Sequence, residues 1–407
     1  MRCGLLGKKL GHSYSPQIHS HLGDYSYDLF EKTPEELEDF LRHGDFTGLN
    51  VTIPYKKDVI PFCDELSDRA QKIGAVNTIV RRPDGTLIGH NTDYFGFQAM
   101  VARSGLKVVG KKVLVLGSGG ASATAVAVLR ELGADVVVVS RSGENNYGNL
   151  DKHADASVIV NATPVGMYPN TGVSPVELDL FPALEGVLDI VYNPSRTQLL
   201  LDAERKGLIT ENGLWMLVAQ AKESAEWFTD RQINDDRIDK IHEILRRQME
   251  NIVLVGMPGC GKSTVGGMLA ALLHKKFVDI DAEIVKQAGM SIPEIFQKSG
   301  EDGFREWETQ VLTQIGKESG LVIATGGGAV TRSENYPLVH QNGRIVWLKR
   351  SIHSLPTDGR PLSQKNRLEE MYAVRKPMYE AFSDCAVVND GDLNETVKQI
   401  LEVEGYQ

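Results

Sequence analysis

Twice along this chain a short β-branched run leads straight into a glycine cluster and then into a helix-forming segment, and few folds accommodate that pattern. Residues 113–116 precede GSGGA at 117–121, and residues 252–255 precede GMPGCGKST at 256–264. A strand that ends in glycines lets backbone amides approach a phosphate, and the following helix aims its positive end at the same point. Two such units in separate halves of 407 residues predict α/β architecture with two nucleotide-binding sheets. At roughly 150 residues per domain, two or three compact units are expected. Glycine supports this: 40 of the residues are glycine, about a tenth of the chain against an average near 7%.

The formal charge of −10 argues against a surface that neutralises a nucleic-acid backbone, while leaving local basic pockets for small anions. Cys3, Cys63, Cys260 and Cys385 lie far apart with no CxxC pair, so neither a zinc knuckle nor a disulfide framework is expected, and a reducing cytoplasm fits. The opening MRCGLLGKKLGHS has no signal-like apolar core, and no run of about 18 apolar residues predicts a membrane span. The partners expected are therefore small molecules, with no nucleic acid and no membrane; a homo-oligomeric assembly is left open.

The pattern divides the chain as follows. Residues 1–104 hold strand signals at 3–6 and 48–52 around the helix-like TPEELEDFLRHG, and form a first α/β lobe. Residues 105–211 carry strand signals at 113–116, 135–139, 158–161 and 187–191, which read as a doubly wound sheet. A helix at about 212–228 returns to the first lobe. The polar stretch 229–250, with Ile233, Ile238, Ile241 and Ile244 at helical intervals, predicts a linker helix ending near 248–250, and 251–407 forms the last domain. The cleft between the first two lobes is the expected active site.

In the turn at 117–121, Gly117, Ser118, Gly119, Gly120 and Ala121 present amides to a pyrophosphate. The next strand ends in Ser140, Arg141 and Ser142, where an acidic residue would hold a ribose 2′-hydroxyl. An arginine there suits a 2′-phosphate and favours NADP over NAD; the alternative is a solvated arginine in a turn. The second glycine cluster fits G-x-x-x-x-G-K-[ST] with Gly256, Gly261, Lys262 and Ser263. Gly259, Cys260, Gly261, Lys262, Ser263 and Thr264 are expected to cradle the phosphates of ATP, Lys262 to reach the β- and γ-phosphates, and Ser263 to ligate Mg²⁺.

Three polar stretches of the first lobe, GHSYSPQIH at 11–19, NVTIPYKK at 50–57 and GAVNTIV with GHNTDYFGF within 74–97, are more than a core needs. By themselves Lys56 reads as part of a solvated lysine pair and Asp93 as a helix N-cap. Together the stretches resemble shikimate dehydrogenase, over residues 2 to about 228. The resemblance implies that Ser13 and Ser15 hold the substrate carboxylate, that Thr52, Lys56, Asn77 and Asp93 surround its hydroxyls, and that Lys56 and Asp93 are the catalytic pair. In DIVYNPSRTQLL and GLWMLVAQA it places Tyr192 and Gln220 at the substrate and Ile190 and Gly213 at the cofactor. The chain departs from the family at 140–142, where SRS stands in place of NRT.

In the second half FVDID at 277–281, FREWE at 304–308, TGGGAV at 325–330, GRPL at 359–362 and RKPMY at 375–379 resemble shikimate kinase, over about 251–405. The resemblance implies that Asp281 binds the acceptor hydroxyl and acts as its base. It further implies that Arg305 and Arg375 grip the acceptor carboxylate, that Gly326, Gly327 and Gly328 line the pocket, that Arg360 reaches ATP from a lid, and that Asp279 supports Mg²⁺. Two planar guanidinium forks on one carboxylate are chemically sound. Only 15 positions separate Arg360 from Arg375, fewer than is usual in the family.

The implied fold is α/β: a two-lobed dehydrogenase, with an α/β substrate lobe and a Rossmann-type NADP lobe, joined to a P-loop domain like the nucleoside-monophosphate kinases. The implied function is NADPH-dependent reduction of 3-dehydroshikimate to shikimate followed by ATP- and Mg²⁺-dependent phosphorylation to shikimate 3-phosphate, in chorismate and aromatic amino-acid biosynthesis. The alternative is an NAD-dependent quinate or shikimate dehydrogenase fused to a non-catalytic nucleotide-binding module.

Overall fold

The computed structural model describes residues 1–11, 13–355 and 365–406. The chain divides into two compact units: Met1–Met167 with Val173–Tyr192 and Leu199–Ile244, and Tyr168–Gly172 with Asn193–Gln198 and Leu245–Gln407.

The first unit contains two sheets. One is mixed and six-stranded, from β1 (Arg2–Gly7), β2 (Ser26–Glu31), β3 (Gly48–Val51), β4 (Glu65–Leu66), β5 (Thr78–Arg81) and β6 (Leu87–His90), in the order β2-β1-β3-β5-β6-β4. The sequence pattern misses β2, because SYDLFE at this sheet edge mixes polar and apolar residues without burying a full face. In register, Leu6 lies beside Val51, and Asn50, Thr78 and His90 form one row across β3, β5 and β6. The ends of β1, β3 and β6 and the start of β5 therefore meet at one edge. Beneath it pack Leu6, Leu41, Leu49, Val51 and Ile79.

The second sheet is fully parallel: β7 (Lys112–Leu116), β8 (Asp135–Val139), β9 (Val158–Asn161), β10 (Gly186–Asp189) and β11 (Ile209–Asn212), in the order β11-β10-β9-β7-β8. Every residue of β9 and β10 is buried, as expected where both faces are covered. The winding direction reverses at β7, which sets the 117–121 turn at the switch point where such sheets bind ligands. Helix Asp93–Ser104 leads from the first sheet to the second, and helix Leu214–Thr229 packs back onto it. They approach closely at Gly96, where an added Cβ would lie 2.6 Å from the carbonyl oxygen of Met216.

The second unit is built on a third sheet, fully parallel, of β12 (Asn251–Val255), β13 (Lys276–Asp279), β14 (Leu321–Ala324), β15 (Gly343–Lys349) and β16 (Cys385–Val388), in the order β13-β14-β12-β15-β16. All five residues of β12 are buried. The core joins Val253, Leu254, Ile323 and Val346 to Trp347, whose ring stacks on Tyr379 at 5.6 Å. The long helix Ile292–Ile315 opens with a Ser291/Glu294 capping box and breaks at Gly300, where φ is 69° and ψ is −169°. Among the described residues no helix is long and apolar enough to cross a membrane.

At the start of β12 the fully buried Asn251 side chain donates to Glu318 O at 2.7 Å and accepts from Leu321 N at 2.8 Å. It thereby ties the entry of β14 to β12. Asn251→Ala strands both backbone groups and should cost about 2 kcal/mol. The expected result is a lower unfolding midpoint for the second unit with the first unit's unchanged, read by differential scanning calorimetry.

Candidate active sites

The first candidate site collects at the sheet edge where β1, β3 and β6 end. β3 runs out into Thr52, whose amide donates to Leu6 O at 2.9 Å, and the chain then turns through the 53–57 loop to present Lys56. β6 runs out into Asn91 and Thr92 and then into helix Asp93–Ser104. Asp93 occupies the first helical position, and Thr92 is the N-cap residue. The Asp93 carboxylate is directed to Lys56, with Oδ2 2.5 Å from Nζ, and both side chains are largely withdrawn from solvent.

Asn77, just before β5, belongs to the same edge and is buried. Its Oδ1 accepts from the Thr92 amide at 2.7 Å, and its Nδ2 donates to Thr92 Oγ1 at 3.0 Å. Gln220 joins from helix Leu214–Thr229. Its Nε2 donates to Leu217 O at 2.9 Å, which leaves Oε1 3.5 Å from both Asn77 Nδ2 and Thr92 Oγ1. Ser13 and Ser15 follow β1; the Ser15 amide donates to Ser13 Oγ at 3.2 Å, and Tyr14 between them meets the Tyr192 ring edge-on at 6.3 Å. Burial pushes the Tyr192 phenol above its usual range.

In the parallel sheet, Gly117 has φ of 111° and lies close to Ala162, while no atom lies within 4 Å of where side chains on Gly119 and Gly120 would begin. Helix Gly120–Glu131 starts there, so Gly117, Ser118, Gly119, Gly120 and Ala121 form an open turn at a helix N-terminus. Ser140 and Arg141 follow β8, the Ser140 amide donating to Asn145 O at 3.1 Å and Arg141 lying exposed. Gly213 precedes helix Leu214–Thr229, where an added Cβ would sit 1.8 Å from Ile190 O; these two residues thus form one tight backbone contact.

The second candidate site is a cavity of about 890 Å³ in the second unit. The loop after β12, the end of β13 and the loop after β14 all open into it, and Gly259, Gly261, Lys262, Ser263, Thr264, Asp279, Asp281, Arg305, Gly326, Gly327, Gly328 and Arg375 line it. Cys260 is buried beneath the loop. The Lys262 ammonium donates to Gly256 O at 2.9 Å and Met257 O at 3.1 Å. Ser263 Oγ donates to Asp279 Oδ2 at 2.6 Å, and Asp279 Oδ1 caps the next helix through Ala282 N.

At the far wall, Arg305 donates to Glu308 at 2.7 Å and to Glu301 at 3.1 Å. Arg375 and Tyr379 both donate to Gly327 O, at 3.1 and 2.5 Å. Side chains on the three glycines would collide with these groups, with Glu308 and Asp281 at Gly326, Pro258 at Gly327 and Arg305 at Gly328. Burial raises the Glu308 carboxyl above its usual range against the pull of Arg305, and likewise pushes the Tyr379 phenol up. Arg360 lies outside the described residues.

Residues 5–79 match the family model for the shikimate dehydrogenase substrate binding domain, and residues 258–404 match that for shikimate kinase. Shikimate dehydrogenase (NADP(+)) of Clostridium perfringens is 37% identical over 265 residues, which cover 60% of this chain and 97% of the relative. The chain belongs to the shikimate dehydrogenase family. It also carries a shikimate kinase domain. Among solved structures, shikimate dehydrogenase 1 of Peptoclostridium difficile aligns at 37% identity and a TM-score of 0.56, over 60% of this chain and 97% of its own. A chorismate mutase/shikimate 5-dehydrogenase fusion protein of Clostridium acetobutylicum aligns at 38% identity and a TM-score of 0.57, over 60% and 96%.

Within the dehydrogenase unit, Thr78, Thr92 and Ser224 escaped sequence reasoning although they surround Asn77 and Gln220. Nothing in spacing links Ser224 to Thr92, since the fold alone joins them. In the kinase domain Glu308 was passed over, yet its position three residues after Arg305 on a helix is a readable pairing signal.

Beside the dehydrogenase site, helix Leu214–Thr229 carries Glu223, which lines a cavity of about 350 Å³ together with Arg69, His90 and Trp227. Burial raises its carboxyl to about 7 despite Arg69 at 3.0 Å, and burial lowers His90, stacked on Trp227, to about 4. The folded state therefore holds the Glu223 proton more tightly than the unfolded chain, whose carboxyl titrates near 4.5. The associated stability is fully present below about 4.5 and is lost as pH rises through about 7. His90, lowered to about 4, contributes the opposite slope over much of this interval, so the effect is read as a difference: the thermal midpoint of Glu223→Gln, which stays neutral, should gain on that of the wild type as pH rises from about 4.5 to about 7.

Proposed function

We propose that the first unit reduces 3-dehydroshikimate to shikimate with NADPH, and that the second phosphorylates shikimate to shikimate 3-phosphate with ATP. We assign residues 1–104 with the helix at about 212–228 to substrate binding, 105–211 to the dinucleotide, and 251–407 to the kinase. The observation that carries the reading is the set of groups around the second unit's cavity: a phosphate loop on one wall and a carboxylate with two arginines on another. In the same chain a buried-edge lysine–aspartate pair sits in a shikimate dehydrogenase family unit.

In the reductase site Ser13 and Ser15 hold the ring carboxylate, and Thr52, Asn77 and Gln220 hold its hydroxyls, with Tyr192 packed alongside. Lys56 gives a proton to the oxygen of the carbonyl as it becomes an alkoxide, and Asp93 keeps the ammonium aimed at that oxygen. The open turn at 117–121 and the Ile190–Gly213 contact fit a dinucleotide, Arg141 and Ser140 its 2′-phosphate. When bound, the cofactor supplies the hydride. The relative from C. perfringens is NADP-dependent by name, in keeping with Arg141.

In the kinase site Lys262 exchanges its loop carbonyls for the β- and γ-phosphate oxygens, while the amides of Gly259, Cys260, Gly261 and Thr264 cradle them. Ser263 and Asp279 offer a hydroxyl and a carboxylate oxygen 2.6 Å apart, which fits Mg²⁺, a cation that takes few protein ligands and retains water. When bound, that ion neutralises developing phosphate charge. Asp281 orients the acceptor hydroxyl and takes its proton, Arg305 and Arg375 bind the acceptor carboxylate, Gly326, Gly327 and Gly328 admit the ring, and Arg360, outside the described residues, is assigned to ATP.

Lys56→Ala should lower reduction of 3-dehydroshikimate at least about 100-fold and leave phosphorylation intact. Lys262→Ala should do the reverse. Spectrophotometric NADPH oxidation and coupled ADP release measure the two; loss of both activities in either variant would refute independent sites. A preference of the wild type for NADH would overturn the cofactor assignment, and ATP binding without turnover in the presence of shikimate would overturn the kinase assignment.

A further inference from the structure

Behind Asn77 and Gln220 three buried hydroxyls form a closed triangle. Thr78 Oγ1 and Thr92 Oγ1 are 3.1 Å apart, Thr78 and Ser224 2.9 Å, and Thr92 and Ser224 2.9 Å. All three residues are at most 1% exposed. Each hydroxyl carries one proton and two acceptor sites, so the direction of every bond can be traced.

The fixed ends of the network are backbone groups. The Thr92 N–H can only donate, which turns Oδ1 of Asn77 toward it and Nδ2 toward Thr92 Oγ1. Leu217 O can only accept, which turns Nε2 of Gln220 toward it and leaves Oε1 facing Asn77. Ser224 donates to Gln220 O at 2.9 Å and accepts from Asn50 Nδ2 at 2.7 Å, which leaves it one acceptor site; with the Thr78 proton directed to Asn77 Oδ1 at 3.2 Å, that site takes the Thr92 proton. Asn50 is held in turn by the Tyr27 hydroxyl at 2.7 Å. The Thr92 hydroxyl thus accepts from Asn77 and donates to Ser224. The Thr92 amide and Thr78 Oγ1, the latter at 3.2 Å, both bond Oδ1 of Asn77, and the bond to Thr92 Oγ1 anchors the Nδ2 end of the carboxamide.

We infer that Thr92 is a positioning residue of the reductase, and that its hydroxyl holds Asn77, and through Asn77 Nδ2 the Oε1 of Gln220, in the one donor and acceptor orientation that fits the substrate's ring hydroxyls. The inference rests on the assignment of Asn77 and Gln220 to those hydroxyls. Thr92 contacts no reacting atom. It sets ground-state and transition-state binding alike, so its loss falls on KM for the hydroxylated ring.

The test compares full-length wild type with Thr92→Val, Thr92→Ser and Ser224→Ala in steady-state reduction, with shikimate binding measured by calorimetry. Thr92→Val keeps the shape and removes the hydroxyl. It should raise KM for 3-dehydroshikimate and Kd for shikimate about tenfold, with kcat changed less than about twofold and KM for NADPH unchanged. Thr92→Ser should restore values to within about twofold of wild type, and Ser224→Ala should shift KM less than about threefold, because the Thr92 proton then turns to Thr78. An unchanged KM in Thr92→Val overturns the inference, as does a parallel rise in KM for NADPH, a Thr92→Ser variant as impaired as Thr92→Val, or a Ser224→Ala variant equal to it. If Thr92→Val does not fold, Thr92→Ala takes its place under the same criteria, and an unchanged KM for 3-dehydroshikimate there overturns the inference. Absence of reduction in the wild type would instead refute the functional assignment on which the inference depends.

Discussion

The requirement that every buried backbone polar group be paired governs where this chain can carry chemistry. β9, β10 and β12 are buried along their whole length, so their amides and carbonyls are consumed by the sheet and their side chains by the core. Chemistry is left to the residues just past the strand ends. Thr52 after β3, Asn91 and Thr92 after β6, the 117–121 turn after β7, the phosphate loop after β12, Asp279 at the end of β13 and Gly326 to Gly328 after β14 all occupy such positions. The register that pairs Asn50 with Thr78 and Thr78 with His90 is what brings the separate sequence motifs of the first sheet to one edge.

Charge is treated differently in the two sites. Lys56 and Asp93 retain some exposure, 23% and 11% of their side chains, so neither ion bears the full cost of desolvation and the lysine keeps a route to a ligand. Arg305 and Glu308 are more deeply buried, at 8% and 0%. There the guanidinium has a carboxylate partner at each of two nitrogens, Glu308 and Glu301, and its position is set before anything enters the cavity. Removing Glu308 alone would leave a buried cation with one exposed partner, an arrangement costly in any low-dielectric site.

Much of this architecture was legible from local pattern. Strand, glycine turn and helix occur contiguously at 113–131 and 252–273, and nothing beyond nearest neighbours is needed to read them. β2 was not legible, since SYDLFE carries no clean alternation, and it is defined by pairing with β1. Asp93 also shows the limit. Spacing suggested a helix cap, but it is Asn91 Oδ1 that accepts from the first-turn amide of Tyr94, at 3.3 Å, and the Asp93 carboxylate is turned to Lys56. The Thr78–Thr92–Ser224 triangle lay wholly beyond local reading, because a hydroxyl on helix Leu214–Thr229 acquires its partners only when that helix folds back across the sheet edge.

On the proposed functions, one carboxylated ring is recognised twice by unlike chemistry, and the surrounding charge explains why. In the reductase site the ring meets Lys56 beside Asp93, a nearly neutral pair, and serine hydroxyls suffice for its carboxylate. In the kinase site the same ring must approach a polyphosphate with Asp279, Asp281 and Glu308 nearby. A second anion is repelled there unless fixed cations outweigh the repulsion, and a guanidinium supplies both charge and two parallel donors. Arg305 and Arg375 come from different helices, Ile292–Ile315 and Lys365–Phe382: Arg305 is held by Glu301 and Glu308 of its own helix, while Arg375 is held by Gly327 O and lies 4.0 Å from Glu301. The triple glycine serves the carboxylate site in two ways: the Gly327 carbonyl holds Arg375, and the missing side chain of Gly328 leaves room for Arg305, 2.0 Å from where a Cβ would stand.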